Sequence, residues 1–157
     1  MAVEQRPGHD AAGRRFCVVA ARFNEPYVRR LVDAALEVLR HRGAAEADLE
    51  VIWVPGSFEL PLACRWAAAS ARFDAVLAFG VLIRGETEHF RLVAESATHG
   101  LQRVALETGI PVLNGVLATH DADQAAARTG GEVGNRGAEV ALAAVQMAQL
   151  RPQGVAR

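Results

Sequence analysis

The chain has 157 residues, the length of one ordinary domain, and its 17 basic and 18 acidic side chains leave a net charge of −1. Both signs are interspersed, so the composition provides no basic surface for nucleic acid or an anionic membrane. No apolar run approaches the ~20 residues of a membrane span, and residues 1–15 lack the pattern of a signal peptide. Cys17 and Cys64 stand apart in apolar stretches, which favours two buried thiols in a reducing, cytoplasmic environment.

The first half of the chain predicts an arm, two strands and two helices. Asn24 is a candidate helix cap, Gly43 fits the stop of the same helix, and Pro61 belongs in the first turn of the next one. The predicted elements are a flexible arm or edge strand (1–14), a strand (16–21), a helix that begins after Asn24 and ends before Gly43 with its apolar face at 28–39, a strand (49–54) and a helix (59–71).

The second half continues the alternation. Gly109 marks the end of a long helix, and the pair Gly130 and Gly131 interrupts the last helical stretch. The predicted elements are a strand (75–80 or a little beyond), a helix (90–105), a strand (111–117), a short helix (121–128) and a helix opening at Asn135.

This order predicts an α/β fold. Continuous apolar strands that alternate with helices favour a parallel sheet covered on both faces. With right-handed crossovers, the result is a three-layer α/β/α sandwich around a four-stranded parallel sheet. We expect one domain over residues 15–151, followed by a short tail at 152–157.

Polar residues follow every predicted strand, where ligands bind in open parallel sheets. The most informative stretch is GVLIRGETEHF at residues 80–90, in which an apolar strand breaks into a polar loop and then a helix. Such a junction directs backbone N–H groups at an anion.

Other common kinds of site are not supported by the sequence. Residues 21–24 lack the glycines of a dinucleotide-binding turn, and Ser57 does not lie in a nucleophile elbow. His89 and His99 lie about 280° apart around one helix at 100° per residue, which excludes a shared metal site.

Four motifs together resemble the 6,7-dimethyl-8-ribityllumazine synthase family. They are ARFN (21–24), PGSFELP (55–61), GVLIRGETEHF (80–90) and GNRG (134–137). Their order and spacing match the family across residues 16–150. The resemblance implies a flavodoxin-like fold and the penultimate step of riboflavin biosynthesis. In that step 5-amino-6-(D-ribitylamino)uracil condenses with 3,4-dihydroxy-2-butanone 4-phosphate, with no metal or redox cofactor.

The resemblance also implies the role of each site residue. His89 is the expected proton carrier, since a histidine gains and loses a proton near neutrality. Gly85, Glu86 and Thr87 would cradle the phosphate, with the carboxylate of Glu86 turned away, and Arg128 would supply the counter-charge. The expected substrate-binding residues are Phe23, Asn24, Gly56, Ser57, Phe58, Glu59, Val81, Leu82, Ile83 and Asn114.

Several of these residues have simpler explanations. Asn24 either binds substrate or caps a helix, and Phe23 either stacks on the uracil ring or packs in the core. Arg128 is either a phosphate ligand or a solvated helix-end arginine. Arg136, where the family usually has lysine, either stabilises charge or forms a surface pair. Asn114 replaces the phenylalanine common in the family, which puts the environment of the pyrimidine ring in question.

The resemblance implies a homo-oligomer built of pentamers, with active sites between adjacent subunits. The short link at residues 130–137 looks like that of members that close into an icosahedral shell, and riboflavin synthase is an expected partner. Two other functions suit the same fold: a non-catalytic protein that binds flavin or lumazine, and a purely structural cage.

Overall fold

The computed structural model describes residues 2–152 and contains a parallel sheet between two layers of helices. Its strands lie in the order β2-β1-β3-β4. The elements are β1 (Phe16–Ala21), α1 (Glu25–His41), β2 (Leu49–Val54), α2 (Leu60–Ala69), β3 (Ala75–Ile83), α3 (His89–Thr108), β4 (Val112–Thr119), α4 (Ala122–Arg128), β5 (Thr129–Gly131), β6 (Gly134–Asn135) and α5 (Arg136–Leu150). This confirms the predicted α/β three-layer sandwich with a four-stranded parallel sheet.

Two apolar cores lie on opposite faces of the sheet. One contains buried residues of α1, α4 and α5, including Leu31 and Val140, and the other contains residues of α2 and α3, including Leu60 and Leu101. The continuous burial of β1 and of most of β3 follows from this two-sided cover. None of the described helices is long and apolar enough to cross a membrane.

The order in which the chain adds strands to the sheet reverses at β1, so that β2 lies on one side of β1 and β3 on the other. The chain moves outward from β1 to β2, then crosses back over β1 to add β3 and β4 on the other side. Such a switch point leaves a crevice at the carboxyl ends of the two central strands, where ligands of open α/β sheets bind. The topology therefore places the segments after β1, β2 and β3 around one space.

β3 extends a little beyond residue 80, as predicted, and pairs with β4 as far as Ile83 opposite Thr119. The observed elements differ from the predicted ones chiefly in three places. β4 continues to Thr119, two residues past its predicted end. The glycine break between α4 and α5 is a small antiparallel hairpin, β5–β6, which the sequence did not predict. The side chain of Asn24 does not cap α1, since within the described chain it forms no cap hydrogen bond.

The arm before β1 adds no strand among the described residues 2–15. From Gly8 onward it lies along α5, where the Gln149 side chain accepts from the Gly8 amide at 2.6 Å and donates to the Asp10 carbonyl at 2.8 Å. Ala11 is fully buried. The flexibility predicted for residues 1–14 stays a prediction, and the predicted tail lies outside the described residues from 153 onward.

Candidate active site

A cavity of about 790 Å³ opens at the carboxyl ends of β1, β2 and β3, next to the start of α3. Its size is within the range of small-molecule binding sites. Most of the lining is apolar or aromatic, with a few polar groups. The lining residues are Phe23, Pro55, Gly56, Phe58, Glu59, Leu82, Ile83, Gly85, Thr87, His89, Phe90, Leu92 and Val93.

The loop between β3 and α3 forms the polar side of the cavity. Its first residue, Arg84, donates its backbone N–H to the Thr119 carbonyl at 2.9 Å, which fixes the loop to the end of β4. The Thr87 hydroxyl accepts from the backbone N–H of His89 at 3.3 Å. His89, the first residue of α3, lines the cavity, and the hydrogen bond to Thr87 fixes its backbone at the start of the helix.

Two glycines of this junction, Gly80 and Gly85, have different surroundings. A Cβ at Gly80 would lie 2.3 Å from the Ser57 hydroxyl oxygen, so a larger residue there would displace the buried Ser57 side chain. A Cβ at Gly85 would meet no atom of the described chain within 4 Å, and its φ is not positive. The fold itself therefore does not require glycine at position 85.

Three large apolar side chains stand exposed at the rim. Phe23, Phe58 and Leu92 are 66%, 64% and 64% exposed, respectively. Backbone hydrogen bonds hold the first of them in place, since Phe23 donates to the Pro55 carbonyl at 3.1 Å. Apolar surface of this kind is unusual on a free monomer when it is contiguous. The rim is a surface on which another aromatic group or another protein can pack.

The described lining of the cavity carries little charge and includes no guanidinium group. Among the described residues its lining carries one carboxylate, Glu59, and one imidazole, His89, and no arginine. The Glu59 carboxylate folds over Gly56, where an added Cβ would be 3.2 Å from its oxygen. This carboxylate can accept hydrogen bonds from hydroxyl groups of a bound molecule.

The structure brings most of the predicted site residues together. Those that line the cavity are Phe23, Gly56, Phe58, Glu59, Leu82, Ile83, Gly85, Thr87 and His89. Ser57 and Val81 are buried beside it, and the exposed Glu86 lies within the loop but outside the lining. Asn24 lies behind the rim, where its side-chain amide donates to the Val81 carbonyl at 2.7 Å.

The remaining predicted residues lie away from the cavity. Asn114 is in register with Ala78, several residues before the end of β3, and its side-chain oxygen accepts from the Val116 N–H at 2.9 Å. Arg128 is exposed at the end of α4 and bonds the Gln124 carbonyl at 3.5 Å. Arg136 forms an ion pair with Glu139 at 2.8 Å. A single chain does not assemble these three residues with His89.

The predicted set omitted four lining residues, which are Pro55, Phe90, Leu92 and Val93. Phe90 and Val93 follow the apolar face of α3, which indicated a core position. Leu92 lies off that face, and an apolar side chain on the exposed side of a helix was a signal for a site.

The comparisons with known proteins agree on one family. The family model described as 6,7-dimethyl-8-ribityllumazine synthase matches residues 13–152. The chain is similar to a protein of that name from Desulfotalea psychrophila, at 45% identity over 89% of this chain and 90% of the relative. It is also similar to namesakes from Halorhodospira halophila, at 48% identity over 88% and 89%, and from Chlorobium phaeobacteroides, at 44% over 98% and 99%.

Proposed function

The chain belongs to the 6,7-dimethyl-8-ribityllumazine synthase family, and from that premise we propose that it is a transferase that forms the lumazine ring system. It condenses 5-amino-6-(D-ribitylamino)uracil with 3,4-dihydroxy-2-butanone 4-phosphate and releases phosphate and water. The observation that carries the proposal is a single cavity that contains His89, the 85–87 loop and the segments after β1 and β2.

The 85–87 loop is the proposed phosphate end of the cavity. Gly85 has no packing reason to be glycine, because an added Cβ would meet open space. A bound phosphate provides such a reason, since its oxygens approach backbone N–H groups most closely where no side chain intervenes. The Thr87 hydroxyl accepts from the His89 N–H and so has its own proton free to donate to a phosphate oxygen.

His89 is the proposed proton carrier. The amine of the uracil attacks the ketone carbon, the carbonyl oxygen takes up a proton and leaves as water, and an imine forms. Removal of the proton from the carbon next to the imine, with cleavage of the C–O bond to phosphate at the following carbon, leaves an enol that tautomerises to a ketone. The ribitylamino nitrogen then attacks this ketone, and a second water leaves as the ring closes. An imidazole beside the phosphate loop can accept and donate each of these protons in turn.

The other end of the cavity suits the uracil and its ribityl chain. Phe23 and Phe58 present aromatic faces on which a pyrimidine ring can stack. Glu59, whose carboxylate lies over Gly56, lines the same cavity and can accept hydrogen bonds from the ribityl hydroxyls, as can the backbone around Gly56. Leu82 and Ile83 close the cavity on the side of β3.

The charge of the phosphate requires a cation that the cavity of one chain does not contain. In the part of the chain that is described, no arginine lines the cavity, and the sequence contains no lysine. Arg128 is exposed at the end of α4, and its only hydrogen bond among described residues is to a carbonyl. We therefore propose that a second copy supplies Arg128, and with it Asn114, to complete the site.

The proposed assembly is a homo-oligomer of pentamers that closes into an icosahedral shell. A neighbouring copy would cover the exposed rim formed by Phe23, Phe58 and Leu92. The short hairpin at residues 129–135 supports the shell form, and light scattering tests it. Riboflavin synthase is the proposed consumer of the product. The free, buried thiols of Cys17 and Cys64 support a cytoplasmic location.

The direct test is an assay of the purified wild-type protein with both substrates. We expect the fluorescent lumazine and phosphate to appear in equal amounts, well above the uncatalysed condensation. A rate equal to the uncatalysed rate, combined with tight binding of riboflavin, would instead identify a non-catalytic binding protein. Absence of both activity and binding would leave a structural cage.

A further inference from the structure

Asn24 has an unusual position at the edge of the candidate site. Its backbone adopts the left-handed conformation, with φ 59 and ψ 37, which few residues other than glycine and asparagine accept at low cost. Its carbonyl accepts from the N–H groups of Tyr27 and Val28, at 3.1 and 3.2 Å, and so starts α1. Asn24 is thus the single residue at which the chain turns from the rim of the cavity into the helix.

The side chain of Asn24 bonds a backbone carbonyl of β3 that lies beyond the end of the β1–β3 pairing. Pairing of β1 with β3 ends at Ala20 opposite Phe79, two residues before Val81. Val81 is 1% exposed, so its carbonyl needs a partner within the protein. The amide of Asn24 supplies that partner at 2.7 Å.

The residues before Asn24 are attached to the opposite strand. Arg22 and Phe23 donate their backbone N–H groups to the carbonyls of Val54 and Pro55, at 2.8 and 3.1 Å. Residues 22–24 therefore bridge the ends of β2 and β3 across β1. Both strand ends carry walls of the cavity, namely the segment after Val54 and the residues that follow Val81.

We propose that Asn24 is a positioning residue that holds the Phe23 ring at the rim and sets the width of the cavity, without binding substrate itself. The inference rests on the proposed function, because the ring of Phe23 matters only if a pyrimidine stacks on it. Two properties of asparagine are needed at once. The left-handed backbone turns the chain between rim and helix, and the short amide reaches the Val81 carbonyl.

Substitutions at position 24 separate these two properties. Asn24→Gly keeps the left-handed backbone and loses the amide, Asn24→Ala loses both, and Asn24→Asp places a carboxylate oxygen against the Val81 carbonyl. We expect Asn24→Ala to raise the KM for the uracil substrate and the Kd for the lumazine product about tenfold, with kcat changed less than twofold. Asn24→Gly, which is also the variant least prone to misfold, should show about a threefold effect.

A double-mutant cycle with Phe23→Ala distinguishes positioning from direct contact. If Asn24 acts through Phe23, then Asn24→Ala adds less than about twofold to the KM and Kd of the Phe23→Ala variant. Multiplication of the two single effects would show that Asn24 touches substrate and would overturn the proposal.

Hydrogen exchange tests the bridge without any activity. Backbone amides of residues 22–24 should exchange faster in Asn24→Ala than in wild type, while those of α5 stay unchanged. Unchanged exchange at residues 22–24 would overturn the bridge. If wild type makes no lumazine, the proposed function fails, whereas faster exchange would still establish the bridge itself.

Discussion

Two short, glycine-containing connections in this chain differ in what their glycines contact. In the loop between β3 and α3, a Cβ at Gly85 would meet open space. In the connection between α4 and α5, a Cβ at Gly131 would lie 2.7 Å from the Ala126 carbonyl oxygen, while Gly130 and Gly134 adopt positive φ values of 111° and 100°. Just beyond it, in the first turn of α5, a Cβ at Gly137 would lie 2.1 Å from the Leu31 carbonyl oxygen. Packing and backbone conformation within the chain explain the glycines of the second connection, whereas no contact within the described chain explains Gly85, and the proposed phosphate does.

The comparison separates stability from binding. The α4–α5 connection and the first turn of α5 lie against α1, since the Asn135 amide donates to the Arg30 carbonyl at 3.3 Å and Gly137 lies next to the Leu31 backbone. The β3–α3 loop is exposed from Arg84 to His89 and contributes little to either core. Substitutions in the first should affect folding, and substitutions in the second should affect turnover.

The largest expected effect is on folding. Gly137→Ala places a methyl group against the backbone of α1, which cannot move aside as a side chain can, so α5 must shift. We expect the free energy of unfolding to fall by about 3 kcal/mol. Urea unfolding at fixed protein concentration measures it, with Gly85→Ala as the matched control. A loss below about 0.5 kcal/mol would show that the two helices are not in close contact.

The next effect is on chemistry. His89→Ala removes the proposed proton carrier from the cavity, so kcat should fall about hundredfold while binding of the lumazine product changes little. His99→Ala is the matched control, because His99 is exposed on the same helix and lies outside the cavity lining. Steady-state kinetics and a fluorescence titration measure both quantities. Equal kcat in the two variants would remove His89 from the mechanism.

A smaller effect is expected at the phosphate loop. Gly85→Ala leaves the fold undisturbed but brings a methyl group to the surface that a phosphate would approach. The KM for the butanone phosphate should rise about tenfold, while the KM for the uracil and the free energy of unfolding stay unchanged. If both KM values stay at wild-type levels, the phosphate binds elsewhere.

The smallest effect concerns the core beneath the cavity, which contains both thiols. Burial, and then the nearby Glu50 carboxylate, raises the pKa of the Cys17 thiol to about 12, above that of an unfolded cysteine. The neutral thiol therefore stabilises the fold below about pH 8.5, and this contribution is lost as the pH rises toward 12. Between pH 7 and pH 9 the loss is about 0.8 kcal/mol.

The control for this titration is Cys17→Ala. Subtracting its unfolding free energy from that of wild type at each pH isolates the thiol from other titrating groups. A difference that stays constant from pH 7 to pH 9 would mean that Cys17 ionises in the folded protein as easily as in the unfolded chain.

Local patterns were enough to predict the sheet and its helices. Strands such as β1 and β2 are short apolar runs, and helices such as α3 have apolar residues at helical spacing, so each is encoded within its own segment. The β5–β6 hairpin has no such pattern, because its strands consist mainly of Thr129 and glycines and depend on packing against α4.

The site was predicted by its motifs rather than by periodicity. The motifs identified most of the residues around the cavity. They could not show which of these residues line the cavity and which are buried behind it. Ser57 is buried because it packs against Gly80, and Asn24 bonds Val81 instead of capping α1. Both outcomes depend on contacts between distant segments, which a single motif does not contain.

The most direct test of a site shared between copies uses two inactive variants. His89→Ala lacks the proposed proton carrier and Arg128→Ala lacks the proposed cation, and each alone should show about a hundredth of wild-type turnover. When equal amounts are unfolded together and reassembled, about a quarter of the sites should combine an intact His89 with an intact Arg128 from the neighbouring copy. Recovery of about a quarter of wild-type activity is the predicted result. Activity no higher than the mean of the two separate variants would contradict the shared site.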